Sequence, residues 1–333
     1  MRAKYIKFVV GVMVSAVAIY LLLSGLNTEA LLQSWSHLSL KGMLLALGLL
    51  VVGYTFRIVR WWWMLRTLDA QVRLWDCVTP FLGSIALNNV LPFRAGDVVR
   101  AFGFRRQLAL PAGAVLGTVV VERLLDLAML LSFFFIGAAS ATATLPPGFS
   151  RGAAVLAVGA AIALILLPLV GPRLAARLAP PAQQPSDSPP SAIRAGIAGL
   201  LRSFALLRSG FQALLLLPLT VLIWTFEGAV FATVAWDLSA DVPPIAAWFA
   251  MASGTLATLL PSTPGYVGTF DYFTMLGLTM FGATRELGTA FSLSVHALLW
   301  VPCTAVGLIL LLLHGGSRTF SEAVNPRGSA AAR

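Results

Sequence analysis

The sequence predicts an all-α, polytopic membrane protein with about six transmembrane helices and two re-entrant helical hairpins arranged as an inverted repeat. Three features lead there. The 333 residues are 58% hydrophobic and 11% charged, with a mean hydropathy of +0.87, outside the range of soluble domains. Six apolar stretches reach the roughly 20 residues that cross about 30 Å of hydrocarbon. Two further apolar regions are each interrupted by a Leu-Pro-x-x-x-Gly element, "LPFRAG" at 91–96 and "LPSTPG" at 260–265.

The six stretches run over 8–26, 40–60, 113–140, 153–171, 211–236 and 287–313. The first follows a basic start, Met1 to Lys7, and is long enough to stay as an anchor; "SGLNTEA" behind it lacks a small-x-small cleavage site. Residues 1–171 thus form an N-terminal half with four spans and a broken hairpin at 76–110. Residues 172–192, rich in Pro, Ser and Gln, read as a flexible linker, and 193–208 as an interfacial amphipathic helix with arginines at 194, 202 and 208. The linker and this helix together fill 172–210. The C-terminal half, 211–315, holds two spans and the second broken hairpin at 245–282, and 316–333 is expected to be a disordered tail. Cys77 and Cys303 lie in apolar surroundings without metal-ligand spacing and read as small core residues.

Each limb of the interrupted regions is only about four helical turns long and spans roughly 21 to 24 Å, short for a crossing. Each region is therefore read as a hairpin that turns inside the membrane; the alternative is two short tilted spans. Charge placement orients them. With a cytoplasmic N-terminus, three Arg/Lys precede the first stretch, eight lie between the second and third (57, 60, 66, 73, 94, 100, 105, 106), five in the linker region and three in the tail, together 19 of 23. The first hairpin then opens to the cytoplasm and the second to the outside. The two motifs keep one register, Leu91 matching Leu260 and Gly96 matching Gly265. Inverted pairs of broken helices mark the midplane cargo sites of many transporters. The net charge of +10 is accordingly assigned to topology and anionic lipid, and no nucleic-acid partner is expected.

Pro92, Gly96, Pro261, Pro264, Gly265 and Gly268 make the breaks, because proline lacks an N–H and glycine admits backbone angles other residues resist. Polar backbone freed at membrane depth is tolerated only against protein or a water-filled cavity. Asp97 and Thr269 are the expected N-caps of the returning limbs, and a helix N-terminus flanked by Arg94 and Arg100 suits a phosphate. Arg105 and Arg106 read as topology-setting. Asn88 and Asn89 either satisfy broken backbone or bind a headgroup. In the third stretch, Glu122, Arg123 and Asp126 each cost about 2.5 to 3.5 kcal/mol at the bilayer centre, so together they need a reason. One cation between two acids leaves negative charge in excess; a structural ion cluster and a headgroup-amine or proton site are equally compatible with it. Glu227 and Asp271 are isolated acids able to bind a cationic headgroup, take up a proton or pair with Arg123, and Asp271 also suits the first turn of its helix. His296 reads as a satisfied core residue, and Trp61, Trp62 and Trp63 as an interfacial belt.

"NNVLPFRAGDVVR" at 88–100, with "LLPSTPGYVGTFDYF" at 259–273, resembles the membrane domain of the lysylphosphatidylglycerol synthase/flippase family over roughly 10–315. The resemblance implies a domain that moves aminoacylated phospholipid between leaflets, with amino-acid transfer done by a separate soluble domain. It places the family pattern on Asn88, Leu91, Pro92, Arg94, Gly96, Asp97 and Arg100, and on Pro264, Gly265 and Gly268. The acid that follows falls on Asp271, slightly later than the pattern. With about 20 residues after the sixth stretch, no synthase domain is expected here.

The functional expectation is therefore a lipid flippase or translocator, with no catalytic residue, cofactor or metal. Its partners would be a membrane lipid (anionic phospholipid, aminoacyl-phospholipid or polyprenyl-linked lipid), with room for a lipid-synthesis enzyme and for self-association. Its place would be the bacterial cytoplasmic (inner) membrane, with both termini cytoplasmic. A membrane-embedded lipid-modifying enzyme is the alternative, although no H-E-x-x-H or G-x-S-x-G is present and His37, His296 and His314 are scattered. An accessory protein that recruits a lipid-synthesis enzyme is the third.

Overall fold

Backbone in hydrocarbon has no water to bond, so a helix, which satisfies its own ladder, is what an apolar stretch adopts there. The computed structural model of the protein describes residues 2–68, 71–141, 147–178 and 189–315, and among these there is no strand. In chain order the helices are α1 (Arg2–Leu23), α2 (Thr28–Ser36), α3 (Leu40–Leu68), α4 (Leu74–Val90), α5 (Ala95–Phe102), α6 (Arg105–Leu108), α7 (Ala112–Ser140), α8 (Pro147–Leu178), α9 (Pro189–Arg202), α10 (Gly210–Asp237), α11 (Ile245–Ala257), α12 (Thr269–Thr279) and α13 (Arg285–Leu313).

All six apolar stretches are helical. Four helices among the described residues, α3, α8, α10 and α13, are long and apolar enough to cross a membrane, and α1 with α2, bent by 85°, adds a fifth if counted as one broken span. Six were predicted; α7 has the length, at 29 residues, but carries Glu122, Arg123 and Asp126. The helix over 153–171 continues to Leu178, so the expected linker loses 172–178; despite Pro172, helix propagates there. The linker also loses 189–192, which open α9; its remainder at 179–188 and the tail at 316–333 lie outside the described residues. The amphipathic segment forms α9 followed by a 3-10 turn over Ser203–Leu207.

Both interrupted regions are two helices around a break. In the first, α4 meets a 3-10 turn at Pro92–Arg94, and the returning limb is α5, then α6. In the second, α11 and α12 flank a 3-10 turn at Pro264–Tyr266. The expected N-caps shift. Helix α5 starts two residues before Asp97, with Arg94 as the flanking residue, and α12 starts at Thr269 behind Gly268. Asp97 and Asp271 consequently occupy the same place, the third residue of a returning helix. The longer second break hid this equivalence, because matching Leu-Pro to Leu-Pro assigns the extra residues to the helix.

The chain divides into two compact units, which do not follow the predicted halves: each draws segments from both, because compactness follows contacts between helices and not chain order. One unit comprises 1–55, 127–158 and 221–302 and contains the second break; the other comprises 56–126, 159–220 and 303–333 and contains the first. In the former, Phe249 of α11 stacks on Phe134 of α7 at 5.2 Å, and a Cβ at Gly137 would overlap the Phe249 ring. The break is seated on α1: Ser15 Oγ accepts from the Thr263 N–H at 2.9 Å. Gly268 sits at φ 87° against the Ser15 carbonyl and Ile19. Gly268→Ala should therefore destabilise the protein by about 1 to 3 kcal/mol, read as a lower unfolding midpoint in micelles, because a Cβ meets both an unfavourable φ and backbone oxygen. In the latter unit, α13 closes on α4 at Gly307, against the Leu82 carbonyl, and α9 approaches α7 where Gly113 and Gly196 leave backbone in contact. Small residues at such crossings let helix backbones approach where lipid supplies no hydrophobic drive.

Candidate functional site

The site grows from the first break. Pro92 has no N–H and pushes the preceding residue out of the helical region, so α4 stops at Val90 and Leu91 is extended at φ −98° and ψ 146°. Arg94 takes the left-handed conformation at φ 52°, which reverses the chain, and α5 starts at Ala95. The two limbs then touch closely, since a Cβ at Gly96 would overlap the Ser84 carbonyl oxygen and the Asn88 amide. Across this contact Asn88 Nδ2 donates to Asp97 Oδ1 at 3.0 Å, and the Asp97 N–H donates to Asn88 Oδ1 at 3.3 Å. Asn88 is thus the clasp of the hairpin. Asn89 turns elsewhere and donates to Thr304 Oγ1 at 2.9 Å.

Among the described residues, Asp97 of that clasp belongs to a cluster of seven charged side chains. Arg123 Nη2 reaches both oxygens of Asp97 at 3.2 Å. Arg100, a turn beyond Asp97, donates from Nη2 to Glu122 Oε2 at 3.1 Å and is fully buried. Its guanidinium lies over the Trp61 ring at 3.7 Å and the Phe81 ring at 4.4 Å, and Trp61 is held in turn by its Nε1–H donating to Thr118 Oγ1 at 3.1 Å. Asp126 receives Arg60 Nη1 at 2.8 Å, with Arg57 Nη1 at 3.8 Å from its other oxygen. Arg60 also donates to Thr220 Oγ1 at 2.9 Å.

Among the described residues that pair here, four guanidinium groups face three carboxylates, an excess of one positive charge. That reverses the balance read for Glu122, Arg123 and Asp126 alone. Arg57 and Arg60, counted among the topology-setting arginines, and Arg100, expected to flank the phosphate site, are buried at 8%, 0% and 0% exposure and belong to this cluster. Trp61 likewise is fully buried and does not join an interfacial belt. The signal for Arg57 and Arg60 was their spacing: three apart, they share a face of one helix. Nothing local to either residue names Asp126 as partner.

Several buried donors of the cluster have no hydrogen-bond acceptor among the described residues: Arg60 Nε and Nη2, Arg100 Nε and Nη1, and Arg123 Nε. A buried donor left unmade costs free energy, about 1 to 3 kcal/mol and more on a charged group, so their persistence in one cluster suits a site that meets an oxygen-rich anion.

Of the other predicted residues, Glu227 and Asp271 lie in the unit that holds the second break. Asp271 accepts the Gly268 N–H at 2.9 Å, at the start of α12, and is in contact with His296 at 2.7 Å. Arg123 pairs with Asp97. Pro261 precedes the second 3-10 turn, Pro264 opens it, and Gly265 and Gly268 both have positive φ, at 73° and 87°. No group of three or more His, Cys, Asp or Glu able to hold a metal occurs among the described residues.

No solved structure matches the chain. A curated protein, "Glycosyltransferase AglD" of Haloferax volcanii, is 27% identical over 279 residues, covering 74% of this chain and 45% of that protein, so the chain spans less than half of that relative's length. The family model described as the lysylphosphatidylglycerol synthase TM region matches residues 8–307, a stretch that takes in both broken hairpins and every member of the arginine cluster, and the chain belongs to that family.

Proposed function

We propose that this protein translocates a lipid with a phosphate-containing polar headgroup between membrane leaflets, gripping the headgroup phosphate at the arginine cluster beside the first break. The family and the apolar helices make it a multi-pass membrane protein with a lipid-related role. The observation that carries the finer reading is the set of buried guanidinium donors without acceptors, together with the cluster's excess positive charge. A phosphate diester offers two non-bridging oxygens that share one negative charge and would satisfy donors that no carboxylate of the cluster reaches. The opposite topology read from charge placement for the two hairpins belongs to the same proposal, as does a place in a bacterial inner membrane. Asn88 is assigned to holding the hairpin closed, and Arg94, Arg100 and Arg123 to the headgroup.

The test uses purified protein in liposomes carrying, in turn, fluorescent phosphatidylglycerol, phosphatidylethanolamine, lysyl-phosphatidylglycerol and a polyprenyl phosphate. Accelerated movement of at least one of them between leaflets is expected, with a fall of about tenfold or more in Arg123→Gln, the value of one charge-assisted contact. Movement of none, or movement indifferent to Arg123→Gln, would overturn the proposal. A second reading, participation in glycosyl transfer, is favoured by the name of the curated relative. Turnover of a nucleotide sugar or a polyprenyl-linked sugar by the same purified protein would support it over translocation.

A further inference from the structure

The second break holds a buried imidazole whose two nitrogens both face acceptors. His296 Nε2 lies 2.9 Å from the Gly265 carbonyl oxygen, and Nδ1 lies 2.7 Å from Asp271 Oδ1. A carbonyl oxygen can only accept, so Nε2 must carry a hydrogen. A hydrogen must also lie between Nδ1 and the carboxylate at so short a separation. A neutral imidazole beside an ionised carboxylate has one hydrogen too few for both bonds. The other carboxylate oxygen, Oδ2, accepts the Gly268 N–H at 2.9 Å at the positive end of α12, an arrangement that suits the ionised acid. We propose that His296 is a proton-binding site, an imidazolium that clamps the second break by donating to Gly265 and to Asp271 at once.

What the clamp holds is strained backbone. Gly265, Tyr266 and Gly268 have φ of 73°, 60° and 87°, three left-handed residues among four, and Tyr266 bears the Cβ penalty for it. Loss of the proton leaves a single ring hydrogen. If it stays on Nε2, two lone pairs meet between Nδ1 and Asp271; if it moves to Nδ1, the ring nitrogen turns a lone pair toward the Gly265 carbonyl. Either outcome forfeits one of the two bonds, so proton release loosens the break.

Few other titratable groups face the ring. Helix α11 carries none, and α1 faces the turn with Ser15 and Ile19. On α10, Glu227 shares a face with Phe231, whose ring meets Phe270, itself 4.9 Å from the imidazole, so an acid stands on the side of α10 turned toward it. Arg285 and Glu286 stand about three turns back on α13, where Arg285 donates to the Leu21 carbonyl and Glu286 accepts the Asn27 N–H. On α2, Glu29 lies in the first turn of its own helix and is exposed, and the remaining groups are the phenols of Tyr266 and Tyr272.

The proton site does not depend on what the protein moves, and it can fail with lipid movement intact. Nitrogen-15 NMR of histidine-labelled full-length protein in lipid nanodiscs reads it directly, with His37→Gln and His314→Gln used to assign the remaining signal. With both contacts in place, both His296 nitrogens should show the protonated, imidazolium shift. Where added base converts them to a neutral ring, amide exchange over 263–268, corrected for its intrinsic base catalysis, should quicken in step. Asp271→Asn should leave His296 neutral under conditions in which the wild-type ring is an imidazolium. A His296 ring that is neutral throughout, or break exchange that ignores its titration, would falsify the proposal, and neither readout requires a variant of His296 to fold.

Discussion

Arg100→Met should lower the free energy of unfolding by about 3 to 5 kcal/mol, because it leaves Glu122 as a buried charge whose counter-ion is gone. Glu122 is 2% exposed and Arg100 not at all, so water cannot take over the lost contact. Unfolding of the purified protein in mixed micelles with increasing denaturing detergent measures the difference. The double variant Arg100→Met, Glu122→Leu should regain most of that stability, since removing both charges also removes the cost of burying them. It should nonetheless translocate poorly, because the guanidinium face over Trp61 and the Nε and Nη1 donors are absent. A single variant within about 1 kcal/mol of wild type would show that Glu122 is solvated or paired elsewhere. A double variant that is stable and fully active would remove Arg100 from the site while leaving the fold untouched.

Gly96→Ala should cost about 1 to 3 kcal/mol, and Gly96→Val more, because the added Cβ overlaps the Ser84 carbonyl oxygen and the backbone of Asn88. The limbs can relieve that overlap only by separating, which stretches the Asn88–Asp97 clasp and moves Asp97 from Arg123. Translocation should fall along with stability, and cooling the assay to restore the fold should not restore the rate. Gly48→Ala and Gly159→Ala, where a Cβ meets nothing within 4 Å, should stay within about 0.5 kcal/mol of wild type and serve as controls. If Gly96→Ala matches these controls, the hairpin is looser than the contact at Ser84 implies.

Much of this was legible in the residues. Apolar runs of sufficient length become helices because no other backbone arrangement is satisfied without water, and each of the six stretches did so. Pro92 and Pro261 mark the breaks for an equally local reason, the absence of an N–H. The arginines misled. Arg57 and Arg60 have the spacing and flanks of topology-setting residues, Arg100 is read from sequence both in that count and as a flank of the phosphate site, and a charge is read by default as lying in solvent. Only the approach of partners far along the chain, Asp126 at 66 residues from Arg60 and Glu122 at 22 from Arg100, makes their burial tolerable. Trp61 followed Arg60 into the wrong class for the same reason, and His296 gave no local sign that Asp271 would face it.

The linear order of residues therefore determined the class of protein, the helices, the positions of the breaks and the family. Those features depend on hydrophobicity, proline and glycine, which act over a few residues. The tertiary structure decided the sign of the charge cluster, the equivalence of Asp97 and Asp271 as third residues of their helices, and the double contact of His296. Electrostatics inside a low-dielectric interior depends on which charges meet and on how many donors remain unmatched, and both are set by packing between segments that the chain keeps apart.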